Sequence, residues 1–213
     1  MKFDSLIKAV YAEPFFETGL LLAGDVDPND VRRQLSRWVE AGRVEQLRRG
    51  LYTLAPPHRK IEPHPFEVAN HLRRGSYVST HSALDHFGMI PERVERVTSV
   101  GRGRPRVWET PLGTYEIRHL DPKLMFGFEP MRVGNGREAL VALPEKALLD
   151  LVYLQPWGDR FDFLESLRLQ HLETLDLRRL HALAERSGKP KLRRAAMHIA
   201  ELARLEAEEF EEL

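Results

Sequence analysis

Residues 27–54, "DPNDVRRQLSRWVEAGRVEQLRRGLYTL", combine a marked helix start, a Gly stop and an arginine-tipped hairpin. The Asp27 carboxylate can accept hydrogen bonds from the free N–H groups of a first turn, and Pro28 suits the first helical position. Asp30 complements the positive end of the helix dipole. Val31, Leu35, Trp38 and Val39 then form an apolar stripe, and Gly42 ends it. The strand-like pieces "VEQL" and "LYTL" flank Arg48-Arg49-Gly50, where glycine supplies the positive φ of a tight hairpin.

With the stripe turned inward at 100° per residue, Asn29, Asp30, Arg33, Ser36, Arg37 and Glu40 face outward and Arg32 lies on the flank. Arg33 and Arg37 stand one turn apart, so both guanidiniums can enter one groove. The planar fork of arginine matches guanine O6 and N7 as well as phosphate oxygens. Asn29 and Gln34 could read adenine, Gln34 from nearer the buried edge, and Arg48 and Arg49 at the hairpin tip would reach a flanking phosphate or the minor groove. A basic helix taken alone is usually a solvated surface. Here cap, stripe, stop and hairpin agree on one architecture, which favours DNA binding.

Working outward, Phe3, Leu6, Ile7 and Val10 are spaced for a short amphipathic helix over 3–11, broken by Pro14. The apolar stretch from Phe15 to Ala23 reads as a second helix before Gly24. Three helices and a hairpin in this order, over residues 1–58, predict a winged helix-turn-helix. "APPHRKIEPHP" (55–65), with four prolines, reads as a linker. A second domain over 66–213 follows, mixed α/β over 66–155 and helical over 156–213. Helix signals are "FEVANHLR" and "STHSALDHFG", and strands are expected at "RVTSV", "RVWET" and "TYEIRHL". "LPEKALLDLVYL" has the Ala147, Leu148, Leu151, Val152 spacing of a buried helix. Helices near 161–170, 176–187 and 190–210 close an α+β chain.

The 213 residues include no cysteine, which excludes disulfides and thiolate metal sites. No apolar run approaches the ~20 residues of a membrane span, and "MKFDSLIKAVYAEPFF" lacks the apolar core of a signal peptide. A cytoplasmic protein with no membrane partner is expected. Lys+Arg and Asp+Glu both total 32, but the charge is segregated. Residues 93–106 hold five arginines and one acid, whereas 201–213 hold six glutamates and one arginine. Arg102, Arg104 and Arg106 alternate with Gly and Pro, as in an extended loop. That loop reads equally as phosphate contacts beside the wing, with Arg102 and Arg104 as candidates, or as a plain charged hairpin. The helix from Lys189 starts basic and ends acidic, against its dipole, so packing must stabilise it.

Tests for catalysis return nothing. His81 and His86 are five residues apart on one helix, which splays their rings by about 140° and disfavours a shared metal. Asp85 lacks a close acidic partner for two-metal chemistry. Glu145, Lys146 and Asp150 could suggest a nuclease but fall in an apolar helix. Gly101-x-Gly103 is too short to cradle phosphate. A non-enzymatic protein with no catalytic residues, no metal and no cofactor is expected. The alternatives are a winged helix that contacts protein, and a nuclease using Glu145, Lys146 and Asp150.

"RRGLYTL", "GSYVSTHSALDHFGMIPE", "VTSVGRGR", "FGFEP" and "ALPEKALLDLVYL" occur in this order. The succession resembles the AbiEi-type antitoxins, transcriptional regulators of type IV toxin–antitoxin systems, over roughly residues 1–155. The resemblance implies a winged-helix head that represses its own operon by binding inverted operator repeats. It also implies a C-terminal domain that counters a nucleotidyltransferase-like toxin without forming a stable complex with it. It carries the DNA contacts onto Arg32, Arg33, Arg37, Arg48 and Arg49.

Overall fold

The computed structural model describes residues 2–22, 26–134 and 136–211, and the fold is α+β. The first unit runs α1 (Phe3–Val10), β1 (Phe16–Glu17), α2 (Thr18–Leu21), α3 (Pro28–Glu40), β2 (Val44–Arg48) and β3 (Leu51–Leu54). β3 is the middle of a three-stranded antiparallel sheet, with β2 on one side and β1 on the other. Leu6, Val10, Phe16, Leu21, Val31, Leu35, Trp38, Val44 and Leu54 form its core.

The expected helix over 15–23 is corrected here, with Ala23 and Gly24 outside the described residues. Phe16-Glu17 is a strand paired to Tyr52 and Leu51, and only Thr18–Leu21 is helical. The cause is that Phe15 and Phe16 serve two different cores. Phe16 packs in the first unit and stacks on Tyr52, while Phe15 sits in the larger core against His71, with ring centroids 4.1 Å apart. Adjacent side chains diverge by half a turn only when the backbone is extended.

The segment 55–65 is ordered by contacts. Ala55 and Pro63 are buried, and Arg59 pairs with Glu45 at 2.8 Å and Glu62 at 2.9 Å. α4 (Pro65–Leu72) starts on a capping box, in which His64 Nδ1 accepts the Phe66 N–H and Glu67 accepts the His64 N–H. The chain continues through β4 (Ser76–Val78), α5 (Thr80–His86), β5 (Arg96–Gly101), β6 (Arg106–Thr110) and β7 (Gly113–His119). β8 (Phe128–Gly134), β9 (Arg137–Ala142) and α6 (Pro144–Leu154) follow. α7 (Phe161–Ser166), α8 (Leu177–Ser187) and α9 (Pro190–Glu211) end the fold.

The six strands form one mixed sheet in the order β6-β7-β5-β4-β9-β8. β5–β7 and β4–β9 are parallel and the other pairs antiparallel. β4, β8 and β9 are strands beyond the three expected from sequence. α4 packs on β4, β5 and β9, and α6 lies between α5 and the α8–α9 pair. Residues 145–152 of α6 are all buried. A helix enclosed all round must be apolar or internally paired, and this one is both. The basic start of α9 is held by bonds: Lys189 to Asp121, Arg193 to Glu185, Arg194 to Asp159, and Lys191 to the Gln155 carbonyl.

The two units share a seam. Leu47 and Leu51 of the hairpin are buried in the larger core together with Phe15, although their strand neighbours Val44 and Leu54 belong to the smaller one. Arg137 reaches across it to Glu13 at 3.1 Å and to the Ala12 carbonyl.

Candidate nucleic-acid interface

α3 is built as its sequence dictates. Asp27 Oδ1 accepts the Asn29 N–H at 2.8 Å, Pro28 occupies the first turn, and Gly42 takes φ +65° after the last turn. Val31, Leu35 and Trp38 are buried, which leaves Asn29, Arg32, Arg33, Ser36 and Arg37 all exposed on the outer side. Their partners differ. Arg32 donates to Asn29 Oδ1 at 3.2 Å, and Arg33 pairs with Asp30 one turn back. Arg37 meets no carboxylate among the described residues. An exposed ion pair contributes on the order of 0–1 kcal/mol, so Arg33 is readily released to a ligand.

The hairpin tip departs from expectation at Arg48. Its Nε and Nη2 donate to the His71 carbonyl at 3.3 and 3.0 Å, Nη1 donates to the Arg49 carbonyl, and Glu17 lies 3.6 Å away. This guanidinium fastens the hairpin to the end of α4 and does not project as a free phosphate contact. The reason is register: β1 and α4 flank the turn, and their acceptors lie within reach. Arg49 is exposed and forms no ion pair among the described residues.

The 102–105 loop lies on the same edge as the hairpin tip. Ser76 pairs with Gly101, which sets Arg73 and Arg74 beside the loop. Arg73 donates to the Arg104 carbonyl at 3.5 Å, and Arg74 pairs with Glu17 at 2.7 Å. Arg73 and Arg106 both overlie the Trp108 ring, 5.9 and 5.1 Å from its centroid. Gly103 has φ +94°, and its carbonyl meets His119 Nδ1 at 3.0 Å. Arg102, Arg104 and Arg106 are exposed and unpaired among the described residues. The Nε of Arg73 and the Nε1 of Trp108 are buried donors with no acceptor. Arginines from residues 48–49, 73–74 and 102–106 thus converge on one edge. Sequence reading missed Arg73 and Arg74, because the "LRRGS" doublet looks like a helix end until strand pairing places it.

Glu145, Lys146 and Asp150 are 0%, 2% and 1% exposed. Glu145 accepts the Asp176 N–H at 2.8 Å and pairs with Arg179 at 3.1 Å, which binds α6 to the start of α8. Asp150 accepts from Tyr77 Oη at 2.9 Å and Ser79 Oγ at 2.7 Å, and pairs with Lys146. Burial raises the Asp150 and Tyr77 pKa values and lowers that of Lys146. The Lys146 ammonium also lies over the Tyr77 and Phe126 rings, at 5.6 and 5.3 Å. The arrangement ties α6 to β4 and offers no open face to a substrate. Asp85 is engaged too, accepting the Val94 N–H at 3.1 Å. Among the described residues, no group of three or more His, Asp or Glu is placed to hold a metal. No described helix is long and apolar enough to cross a membrane.

No family model and no curated protein matches the chain. Among solved structures it is similar to the crystal structure of the RV2827C protein from Mycobacterium tuberculosis. The two are 19% identical with a TM-score of 0.54, over 92% of this chain and 75% of the other. At that identity the likeness is one of fold.

Proposed function

We propose that the chain is a DNA-binding transcriptional repressor whose first unit is a winged helix. α3 is its reading helix and the β2–β3 hairpin its wing. The observation that carries this reading is the outer face of α3. Asn29, Arg32, Arg33, Ser36 and Arg37 stand together on it, on a capped helix backed by a buried stripe. A helix of this size fits the major groove, and its arginines have the fork that guanine presents partners for. The arginine edge formed by Arg49, Arg102 and Arg104, with Arg73, Arg74 and Arg106, would hold flanking phosphates. Segregation of charge lets a neutral chain present such an edge.

The resemblance to AbiEi-type antitoxins supports a narrower reading. In it the protein binds inverted repeats in its own operator and counteracts a nucleotidyltransferase-like toxin without a stable complex, in the cytoplasm and without catalysis. Co-expression with a nucleotidyltransferase-like toxin encoded alongside tests it. Rescue of growth supports the antitoxin role, and unrelieved toxicity with soluble protein present removes it.

DNA binding is tested by titrating the full chain on an inverted-repeat duplex and a random duplex at several salt concentrations. Arg37→Ala should cost about 1–3 kcal/mol on the repeat and little on random DNA. Arg49→Ala and Arg104→Ala should weaken both duplexes alike, each flattening the salt slope by about one unit. If neither class of variant changes binding, α3 and the edge do not hold DNA.

A further inference from the structure

One carboxylate stands inside the arginine edge. β1 and β2 both pair with β3, and their registers set Glu17 and Arg48 on either side of Leu51. Residues opposite one another in neighbouring strands point to the same face of a sheet. Leu51 is buried in the larger core, so that face is the one turned to the second unit. The register thus brings Glu17 Oε2 to Arg74, just past α4, at 2.7 Å. Glu17 Oε1 is buried, lies 3.6 Å from Arg48 and accepts no hydrogen bond. Thr18 donates its N–H to the Gly50 carbonyl at 3.0 Å, which keeps this corner against the hairpin tip.

The two guanidiniums depend on Glu17 differently. Arg48 has the His71 and Arg49 carbonyls as further acceptors. The Arg74 side chain is 75% exposed, and Glu17 is its one partner among the described residues. No other carboxylate pairs with an arginine of the edge among those residues. A carboxylate beside a phosphate-binding guanidinium acts twice. It occupies the donors, and it repels the incoming anion.

We propose that Glu17 is a built-in counter-charge of the arginine edge, which parks Arg74 and lowers affinity for the phosphate backbone. The inference rests on the DNA reading and adds to it the residue that sets how tightly the edge grips any duplex. Phosphate contacts carry no sequence information, so removing the charge should strengthen repeat and random duplexes alike.

The test titrates the full chain on both duplexes at several salt concentrations. Glu17→Gln removes the charge and keeps an oxygen acceptor for Arg74, so the melting temperature should be unchanged. Affinity for both duplexes should rise roughly threefold to tenfold, and the salt slope should steepen by about one unit as Arg74 gains a phosphate. Adding Arg74→Ala restores the net charge of the corner, and affinity and slope should return to those of the unmodified chain. Glu165→Gln, at an exposed acid of α7 that pairs with no arginine of the edge, is the control for net charge and should change nothing. No binding of either duplex by the unmodified chain removes the DNA reading, and this inference with it. Where that chain binds, unchanged or weaker binding by Glu17→Gln overturns the inference alone, as does a lowered melting temperature. An equal gain from Glu165→Gln overturns it too.

Discussion

Replacing Asp150 by alanine isolates what the polar cluster under α6 contributes. The carboxylate is 1% exposed and accepts from Tyr77 Oη and Ser79 Oγ while pairing with Lys146. Its removal leaves a 2%-exposed ammonium with aromatic neighbours but no counter-charge, and two buried hydroxyls without an acceptor. Breaking one partner out of a buried pair costs about 3–5 kcal/mol. Each orphaned hydroxyl adds up to about 1–3 kcal/mol, less whatever relaxation recovers. Domain stabilities are about 5–15 kcal/mol, so Asp150→Ala should remove a third or more of the margin. The assay is urea unfolding of the full chain followed by circular dichroism, which reads ΔG and its slope separately. The paired change Lys146→Met with Asp150→Leu provides the control. It replaces the ions by apolar groups of similar volume, so it keeps the cost of the two orphaned hydroxyls but not that of the unpaired ammonium, and its loss should be smaller than the single variant's by about the ion-pair cost. A loss under about 1 kcal/mol for Asp150→Ala would refute the reasoning, since it would mean that water reaches the site.

The hairpin should be held by the second unit. Leu51→Ala, at 0% exposure, should cost about 2–5 kcal/mol, and a chain ending at 58 should melt at lower temperature and yield to protease near Leu47; a cooperative, protease-resistant fragment would contradict the seam. Arg48→Ala should loosen the hairpin against α4, read as faster amide exchange around His71, while leaving the salt slope of duplex binding nearly unchanged; a slope flatter by a full unit would return Arg48 to the phosphate contacts. His64 has a lowered folded pKa, so below its ordinary value of 6.5 the unfolded chain binds protons more readily than the fold. Stability should therefore be full above pH 6.5 and fall as pH drops through 6.5 toward the folded value. His64→Asn, which retains a capping acceptor for Phe66, should flatten that fall in denaturant midpoints taken from pH 7.5 to 5, and an unchanged pH profile would show that the ring is solvated.

Residues close together in sequence were legible from sequence, because local chemistry fixes them. The Asp27 cap, the Val31–Leu35–Trp38 stripe and the Gly50 turn each rest on interactions within a few residues, and each appears as read. α6 was legible as a buried helix from its apolar spacing, as was, from the stripe of α3, the outward placement of Arg33 and Arg37 with Arg32 on the flank. What the sequence could not settle depended on partners far along the chain. Phe16-Glu17 became a strand because β3, some 35 residues on, offered a free edge. Arg48 left the expected interface because the His71 carbonyl lay beside it. Arg73 and Arg74 joined the basic edge only through the pairing of Ser76 with Gly101. Asp150 met Tyr77 and Ser79 across more than 70 residues. Hydrophobic periodicity says which side of an element is buried; which element covers it, and which donors arrive with it, is set by the packing of the whole.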